Sequence, residues 1–263
     1  MSSQPSPLQQ QIDRLRRSFD DLRKQASMDD ITKKLGDQAS AVAALPDQIA
    51  ALRSRGYAFA GYLERKAAVL ADEWREIGQL VQAAISDETA RIQPRLDEIA
   101  DLWRKLDQVT QERGITMILT QIERSTSQLS EQVASARKRI EGLFGQVPGN
   151  VSQTQGQLRQ ITGYLDQAQK AKVSWTPTEA LFTAVEAKWL RAKKDEPEGL
   201  LFLTDQRLIF LQEKGLFGKS YRPLESMEYR EIANWRLGQT MRIRSLQVDV
   251  AQRHACRGAG LRL

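Results

Sequence analysis

The apolar residues of positions 1–172 recur at alternating spacings of four and three, with polar residues between them. The clearest run, at the start of the chain, comprises Leu8, Ile12, Leu15, Phe19 and Leu22. An average repeat of 3.5 residues places such a stripe on one side of an α-helix, where it must bury against another helix. Residues 1–172 are therefore expected to form long coiled-coil helices or a helical bundle.

Helix-breaking residues divide these runs into segments. The breaks are expected at Ser27–Asp30, at Pro46, near Gly114 and at Val147–Asn150. The longest segment runs from about Asp47 to Arg113, and Pro94 inside it predicts a kink or a helix boundary because proline removes a backbone hydrogen bond. The short connection at Pro148 favours one antiparallel helix pair.

Two arrangements bury the apolar stripes equally well. The helices can close into a bundle within one chain, or two chains can pair as a coiled-coil homo-oligomer, and the pattern leaves both open. Trp74 and Trp103 lie on the stripe. We interpret them as core anchors rather than as ligand-stacking residues.

The residue types that usually carry chemistry are scarce. The chain has one cysteine, Cys256, and one histidine, His254, so neither an internal disulfide nor a metal-binding or catalytic Cys/His cluster is expected. The sequence also contains no glycine-rich phosphate loop and no nucleophile elbow. We therefore expect a protein without enzymatic activity and without a cofactor.

Charge and hydropathy limit the cellular locations and the classes of binding partner that the sequence allows. The formal net charge is +6, but basic and acidic residues are interleaved and no dense basic block occurs, which argues against a nucleic-acid binder. The N-terminus lacks the apolar core of a signal peptide, and no apolar run approaches the length of a membrane span. A cytoplasmic protein is expected, with peripheral membrane association as an alternative.

The period changes near Val173, where β-signals replace the helical stripe. Gly199–Leu203 and Leu208–Leu211 are two apolar runs separated by a short polar turn, which predicts a buried hairpin. Leu181–Leu190 mixes β-forming residues with partial alternation, and a helix there is not excluded. Further strands are expected at Ser220–Leu224, at Met227–Ile232 and at Met241–Val250, the first of them an edge strand because Pro223 cannot donate to a ladder.

The residues from Thr178 to Ser226 resemble a GRAM domain, a family of the pleckstrin-homology (PH) superfold. The resemblance implies a small, strongly bent antiparallel β-barrel that is closed at one end by a C-terminal helix. Such modules bind membrane lipids or protein partners and do no chemistry. The motif positions are Glu179, Gly199, Thr204, Asp205, Arg207, Phe210, Pro223 and Leu224. Arg207 is expected to brace the turn or an acidic neighbour rather than to contact a ligand.

Members of the superfold that bind lipids hold phosphate with basic residues around the first hairpin. The candidates for contacts with an anionic ligand are Lys193, Lys194, Lys219 and Arg222. The acids Asp195, Glu196 and Glu198 directly follow the first two lysines and would repel a phosphate. A solvated loop is therefore the favoured interpretation of this segment.

Residues 173–250 are thus assigned to the PH-like domain, and residues 251–263 to an irregular tail. The tail contains Gly258 and Gly260 and has no amphipathic stripe, so it does not resemble the expected closing helix. The barrel is accordingly expected to be incomplete at its C-terminus, and our hypothesis for the cause is a truncated or frame-shifted end.

The favoured function is a cytoplasmic scaffold or adaptor. In it the helical region sets length and oligomeric state, and the PH-like module binds a protein partner or, as the second choice, an anionic membrane surface. A coiled-coil protein associated with nucleic acid and a purely structural rod are the alternatives.

Overall fold

The computed structural model describes residues 6–190, 196–215, 220–240, 243–250 and 259–262. The helices in these ranges are α1 (Pro7–Ala26), α2 (Asp29–Ala43), α3 (Leu45–Ser54), α4 (Tyr62–Leu106), α5 (Glu112–Phe144) and α6 (Val147–Lys170). The strands are β1 (Leu181–Leu190), β2 (Glu198–Thr204), β3 (Arg207–Lys214), β4 (Ser220–Glu228), β5 (Ile232–Thr240), β6 (Ile243–Val250) and β7 (Ala259–Arg262). No helix in these ranges combines the length and the apolar character that a membrane crossing requires.

The chain divides into two compact units. The first comprises Met1–Ala44 and Ala67–Ser152, and the second comprises Leu45–Lys66 and Gln153–Leu263. The sheet therefore shares its unit with α3, the start of α4 and most of α6. The sequence-based boundary at Lys172 did not anticipate this grouping, because two helical pieces far apart in sequence join the sheet only through tertiary contacts.

The first unit is a bundle in which the apolar stripes bury against one another within a single chain. α1 packs on α5, and Arg139 of α5 bonds Glu88 of α4 at 2.7 Å. The buried stripe residues include Leu15, Phe19, Leu22, Ile92, Ile99, Leu119, Ile122, Val133 and Ile140. Of the two arrangements that the sequence left open, the intrachain bundle is the one observed here.

The tryptophans of the stripe, Trp74 and Trp103, are each 8% exposed, as core residues are. The guanidinium of Arg16 lies 5.3 Å from the centre of the Trp103 ring, which is within the range of a cation–π contact. α1 and α4 are thereby joined at this point of the bundle.

The predicted helix breaks are partly confirmed. α1 ends and α2 begins around Ser27–Met28, where Met28 adopts a left-handed φ of 55°, and α3 begins one residue before Pro46. The expected boundary at Pro94 is wrong, because α4 continues through it. Its neighbours Ile92 and Leu96 are buried, and this burial outweighs the roughly 3 kcal/mol that an internal proline costs.

The helix break expected at Val147–Asn150 is present, since α5 ends at Phe144 and α6 begins at Val147, but the turn lies just before these residues. These residues form the first turn of α6, where proline is well tolerated because its missing N–H would have had no helical partner. The antiparallel pair that the contacts show is instead α4 with α5, and residues 107–111 connect them. The long segment expected from Asp47 to Arg113 is interrupted at residues 55–61 as well.

Arg137 ties α5 to the junction between α1 and α2. Its guanidinium donates to the Gln25 carbonyl at 3.0 Å and to both carboxylate oxygens of Asp30 at 2.9 and 2.6 Å. We expect Arg137→Ala to lower the free energy of unfolding by about 1–2 kcal/mol, since forked charge-assisted hydrogen bonds are lost. Urea denaturation checks this, with Arg124→Ala as the control on the same helix; equal effects would contradict it.

The second unit contains a seven-stranded antiparallel sheet in the order β4-β3-β2-β1-β7-β6-β5. β1 pairs with both β2 and β7, so the first and last strands are neighbours and the sheet is open between β4 and β5. The sheet is thus an incomplete antiparallel barrel, as the sequence predicts.

The hairpin of β2 and β3 is confirmed, and Leu181–Leu190 is a strand. Two expectations are wrong. Met227–Ile232 is the end of β4 followed by a 3₁₀ turn at Tyr229–Glu231, and residues Ala259–Arg262 of the supposed irregular tail form β7. A strand of four residues carries too little alternation to be recognised, and its place between β1 and β6 is decided by pairing.

The barrel core contains alternate residues of the predicted hairpin. Leu201, Leu208 and Phe210 are buried together with Trp189 and Met227, and Leu203 packs against them. The rings of Trp189 and Phe210 lie 5.4 Å apart. Leu200, Phe202 and Ile209, on the other face, are also buried, as in a sheet covered on both sides.

Candidate recognition surface

A buried ion pair organises one end of the barrel. Arg207, at the start of β3, donates from Nε and Nη2 to the two carboxylate oxygens of Glu179, both at 2.9 Å. The Glu179 side chain has no exposed surface, and that of Arg207 is 19% exposed. The backbone N–H and the hydroxyl of Thr176 donate to the same carboxylate at 2.8 and 3.0 Å.

These donors determine the protonation of Glu179. Burial by itself raises the pKa of this carboxyl group, but the hydrogen bonds from Arg207 and Thr176 favour the charged form and outweigh it. The net result is a pKa of about 2, against an ordinary value of 4.5. Glu179 is therefore an anion over the physiological pH range, and it serves the architecture rather than proton transfer.

The turn between β2 and β3 is held by two motif residues. The Thr204 hydroxyl accepts from the backbone N–H groups of Gln206 and Arg207 at 3.0 and 2.9 Å. Asp205 donates its N–H to the Ala180 carbonyl at 3.0 Å, and its carboxylate accepts from the Ala180 N–H at 2.9 Å. The turn is thus locked to the start of β1.

The ion pair also fixes an exposed tryptophan. Arg207 donates to the carbonyl of Ser174 at 2.8 Å, while Glu179 accepts from the backbone of Thr176. Trp175 lies between these two anchored residues and is 41% exposed. Its backbone is held on both sides by the motif, but its indole is presented to solvent.

A tyrosine is fixed against the same turn. The Tyr229 hydroxyl donates to the Thr204 carbonyl at 2.6 Å, and its N–H donates to the Gln206 carbonyl at 3.2 Å. The residue is nevertheless 41% exposed. We call the segments Ser174–Ala180, Thr204–Arg207 and Ser226–Glu231, with these two rings, the aromatic end.

A second aromatic cluster lies at the start of β1. The loop of residues 55–61, between α3 and α4, places Phe59 edge-on against Phe182 with 5.1 Å between ring centres. Tyr57 is buried, its ring centre lies 6.0 Å from that of Phe59, and its hydroxyl donates to the Phe182 carbonyl at 3.5 Å. The loop thereby joins the helical part of this unit to the sheet.

Arg53, in the last turn of α3, shapes this loop. Its guanidinium donates to the carbonyls of Tyr57 at 2.7 Å and Phe59 at 2.6 Å, and it pairs with Glu64 of α4 at 2.7 Å. One side chain therefore satisfies the loop carbonyls and joins both flanking helices. Two residues of the loop are left-handed, Gly56 at a φ of 87° and Ala60 at 56°, and only the glycine adopts this conformation without steric cost.

Removing the two rings singly and together should reveal their coupling. We expect Phe59→Ala and Phe182→Ala each to destabilise the protein, with an interaction energy of about 0.5–1.5 kcal/mol in the double-mutant cycle because an edge-to-face contact is lost once. Denaturant unfolding of the four proteins measures it, and additive effects would contradict the contact.

The structure brings four motif residues together and separates the others. Glu179, Thr204, Asp205 and Arg207 meet at the aromatic end. Gly199 faces Leu211 of β3, Phe210 lies in the core, and Pro223 and Leu224 lie on β4. Arg222 is exposed on β4. Lys193, Lys194 and Lys219 lie outside the described residues.

Sequence reasoning missed the aromatic surfaces. Among the described residues, the large aromatic side chains that are at least two-fifths exposed all belong to the second unit: Tyr62, Trp175, Phe182, Tyr229 and Trp235. A signal for the loop was present, since Gly56 and Gly61 flank Tyr57 and Phe59 and interrupt a helical pattern. The exposure of Trp175 and Tyr229 has no comparable signal.

A metal site is not apparent: within the described ranges, no three His, Cys, Asp or Glu side chains are grouped so that they could hold an ion.

Comparisons with known proteins find PH and DH/PH domains among the similar solved structures, at low identity and low TM-score. No family model matches it, and no curated protein matches it. A pleckstrin homology domain from Shewanella amazonensis SB2B is 19% identical, with 36% of this chain and 79% of that chain covered and a TM-score of 0.24. The DH/PH domains of PDZ-RhoGEF, solved in complex with activated RhoA, are 11% identical, with coverages of 90% and 88% and a TM-score of 0.29. Those of p115-RhoGEF are 12% identical, with coverages of 91% and 89% and a TM-score of 0.26.

By its own elements, the chain is a helical protein followed by an incomplete antiparallel barrel, which is the fold class that the sequence predicts.

Proposed function

We propose that this chain is a non-enzymatic adaptor whose PH-like barrel binds a protein partner through the aromatic end. One observation carries the proposal. A buried ion pair and a hydrogen-bonded turn hold the residues on both sides of Trp175 and the hydroxyl of Tyr229, and yet both rings face solvent.

Rigid exposed aromatic side chains suit recognition. Tryptophan and tyrosine supply a large contact area at a small entropic cost, and they dominate the energetic centres of protein interfaces. A ring whose backbone is already fixed loses less freedom on binding than one on a mobile loop. If the motif served folding alone, covering the two rings would be more stabilising than exposing them.

The helical bundle bears on whether the adaptor must be an oligomer. Because its apolar seam is buried within the chain, the adaptor role does not require a coiled-coil homo-oligomer. The GRAM assignment is part of the proposal and is supported by the motif residues Glu179, Thr204, Asp205 and Arg207, which meet in one network. A cytoplasmic location, peripheral at a membrane when the partner is there, is proposed with it.

Site-specific photo-crosslinking in the protein's own cells tests the proposal. A benzophenone amino acid replaces Trp175 in one variant and Tyr62, an equally exposed aromatic residue of α4, in the control. We expect a discrete crosslinked protein from position 175 that is absent from position 62. Identical crosslinks from both positions, or none from position 175, would reject the aromatic end as the recognition surface.

A membrane target is the competing outcome. The purified chain is mixed with phosphatidylcholine–phosphatidylserine vesicles and floated in a density gradient. If it floats with the vesicles, and Trp175→Ala abolishes flotation while Tyr62→Ala does not, the aromatic end binds membrane and the adaptor proposal fails. Protein that stays at the bottom of the gradient agrees with a protein partner.

A further inference from the structure

We infer that the segment captured by the aromatic end is rich in arginine or lysine. The inference rests on the proposed function and names the chemistry of the partner. It is carried by the combination of two exposed aromatic side chains with the charges that surround them.

The net charge of the aromatic end is opposite in sign to the net charge of the whole chain. Its segments contain two basic residues, Arg207 and Arg230, and four acidic ones, Glu179, Asp205, Glu228 and Glu231, a local sum of −2, whereas the whole chain carries +6. Glu179 and Arg207 neutralise each other inside the protein, so the exposed balance is three carboxylates against Arg230.

These carboxylates are close to the exposed rings. Asp205 is exposed in the turn against which Tyr229 is bonded. Glu228 directly precedes Tyr229, and its side chain is 49% exposed. Arg230 pairs with Glu228 at 2.6 Å, but it is itself 81% exposed, so an incoming cation can exchange with it at little cost.

Cationic side chains fit such a surface in two ways. The faces of tryptophan and tyrosine rings carry negative charge density and attract guanidinium or ammonium groups. Nearby carboxylates accept their hydrogen bonds, and arginine does both at once because its planar fork stacks and donates together. A phosphate or an acidic peptide would meet three carboxylates instead.

Fluorescence anisotropy with defined peptides tests the inference on the full chain. The probe is a fluorescein-labelled peptide of arginine, glycine and serine, and the comparison peptide has glutamate in place of each arginine. We expect saturable binding of the arginine peptide that weakens with salt, and none of the glutamate peptide. Because the chain is basic overall, non-specific electrostatic attraction would favour the glutamate peptide. Preferential binding of the arginine peptide would therefore indicate a specific site.

Matched variants locate the binding. We expect Trp175→Ala to weaken the affinity about 5- to 30-fold, the effect of losing one partly desolvated cation–π contact. In the double variant Glu228→Gln and Glu231→Gln, the amide oxygens can still accept the backbone hydrogen bonds that the two carboxylates accept in the 3₁₀ turn, but two negative charges are lost. We expect the affinity for the arginine peptide to weaken about 3- to 10-fold. The controls, Tyr62→Ala and the equally spaced pair Glu73→Gln and Glu76→Gln on α4, should bind as the wild type does.

The inference is overturned if the arginine peptide fails to bind, if the glutamate peptide binds as well, or if the controls weaken binding as much as the variants do. Thermal unfolding of each variant shows that it is folded. If position 175 crosslinks to a protein but the arginine peptide does not bind, the partner chemistry is wrong and the adaptor function stands.

Discussion

Arg207→Met is expected to lower the free energy of unfolding of the second unit by about 3–5 kcal/mol. The substitution removes the two hydrogen bonds that Arg207 donates to the Glu179 carboxylate and leaves a charge with no exposed surface. It also releases the Ser174 carbonyl. Urea denaturation followed by tryptophan fluorescence measures the loss.

A double variant distinguishes the cost of an unpaired buried charge from the cost of lost packing. Glu179→Gln combined with Arg207→Met removes both charges while the amide still accepts from Thr176, so we expect it to be more stable than Arg207→Met alone. If the double variant is the less stable of the two, an uncompensated Glu179 is not the cause of the loss.

The same ion pair is expected to stabilise the fold at neutral pH and to lose this effect in acid. The pKa of Glu179 is depressed from 4.5 to about 2 in the folded protein, so its contribution is complete above pH 4.5 and is lost as the pH falls towards 2. A difference of that size corresponds to about 3 kcal/mol. The stability gap between wild type and Glu179→Gln should therefore narrow between pH 5 and pH 2, and a gap independent of pH would contradict the pairing.

Gly199→Ala is the second change with a large expected effect. A Cβ atom at this position would lie 1.9 Å from the carbonyl oxygen of Leu211 and 3.0 Å from the Cα of Gln212. Both are backbone atoms of the paired strand β3, so no side chain can move aside to relieve the overlap. We expect a loss of about 3 kcal/mol or more through disruption of the central hairpin.

A glycine in the same unit provides the matched control. A Cβ at Gly163 of α6 would meet nothing within 4 Å, so Gly163→Ala should raise stability by about 0.5–1 kcal/mol through better helix propensity. Opposite signs for the two glycines, measured by urea denaturation, are expected. If Gly199→Ala is as stable as the wild type, the close approach of β2 and β3 does not exist.

The elements that could be predicted are those with a regular local period. The stripe of Leu15, Phe19 and Leu22 and the hairpin of β2 and β3 were correct because burial in a helix and in a strand leaves spacings that can be read along the chain. Pro94 and Pro148 misled for the opposite reason. A proline's local effect is small beside the packing of a long helix, or vanishes in a first turn.

The candidate site was predictable only in part. The motif residues Glu179, Thr204 and Arg207 were identified by resemblance, but their common purpose was not, since Trp175 and Tyr229 carry no pattern that marks them as exposed. The contact between Phe59 and Phe182 joins residues that are more than a hundred positions apart in the sequence, and no local spacing of residues predicts such a contact.

By itself, the sequence determined that this chain has a helical part and a β part, that the period changes near Val173, and that Gly199–Leu203 and Leu208–Leu211 form a buried hairpin. Those properties follow from alternation between neighbours. The tertiary structure alone decided that the helices pack within one chain, that β7 pairs with β1, and that two aromatic side chains are exposed beside a buried ion pair and a hydrogen-bonded turn. Each of these depends on contacts between segments that are far apart in the sequence, and such contacts form and stabilise the protein only when the chain folds.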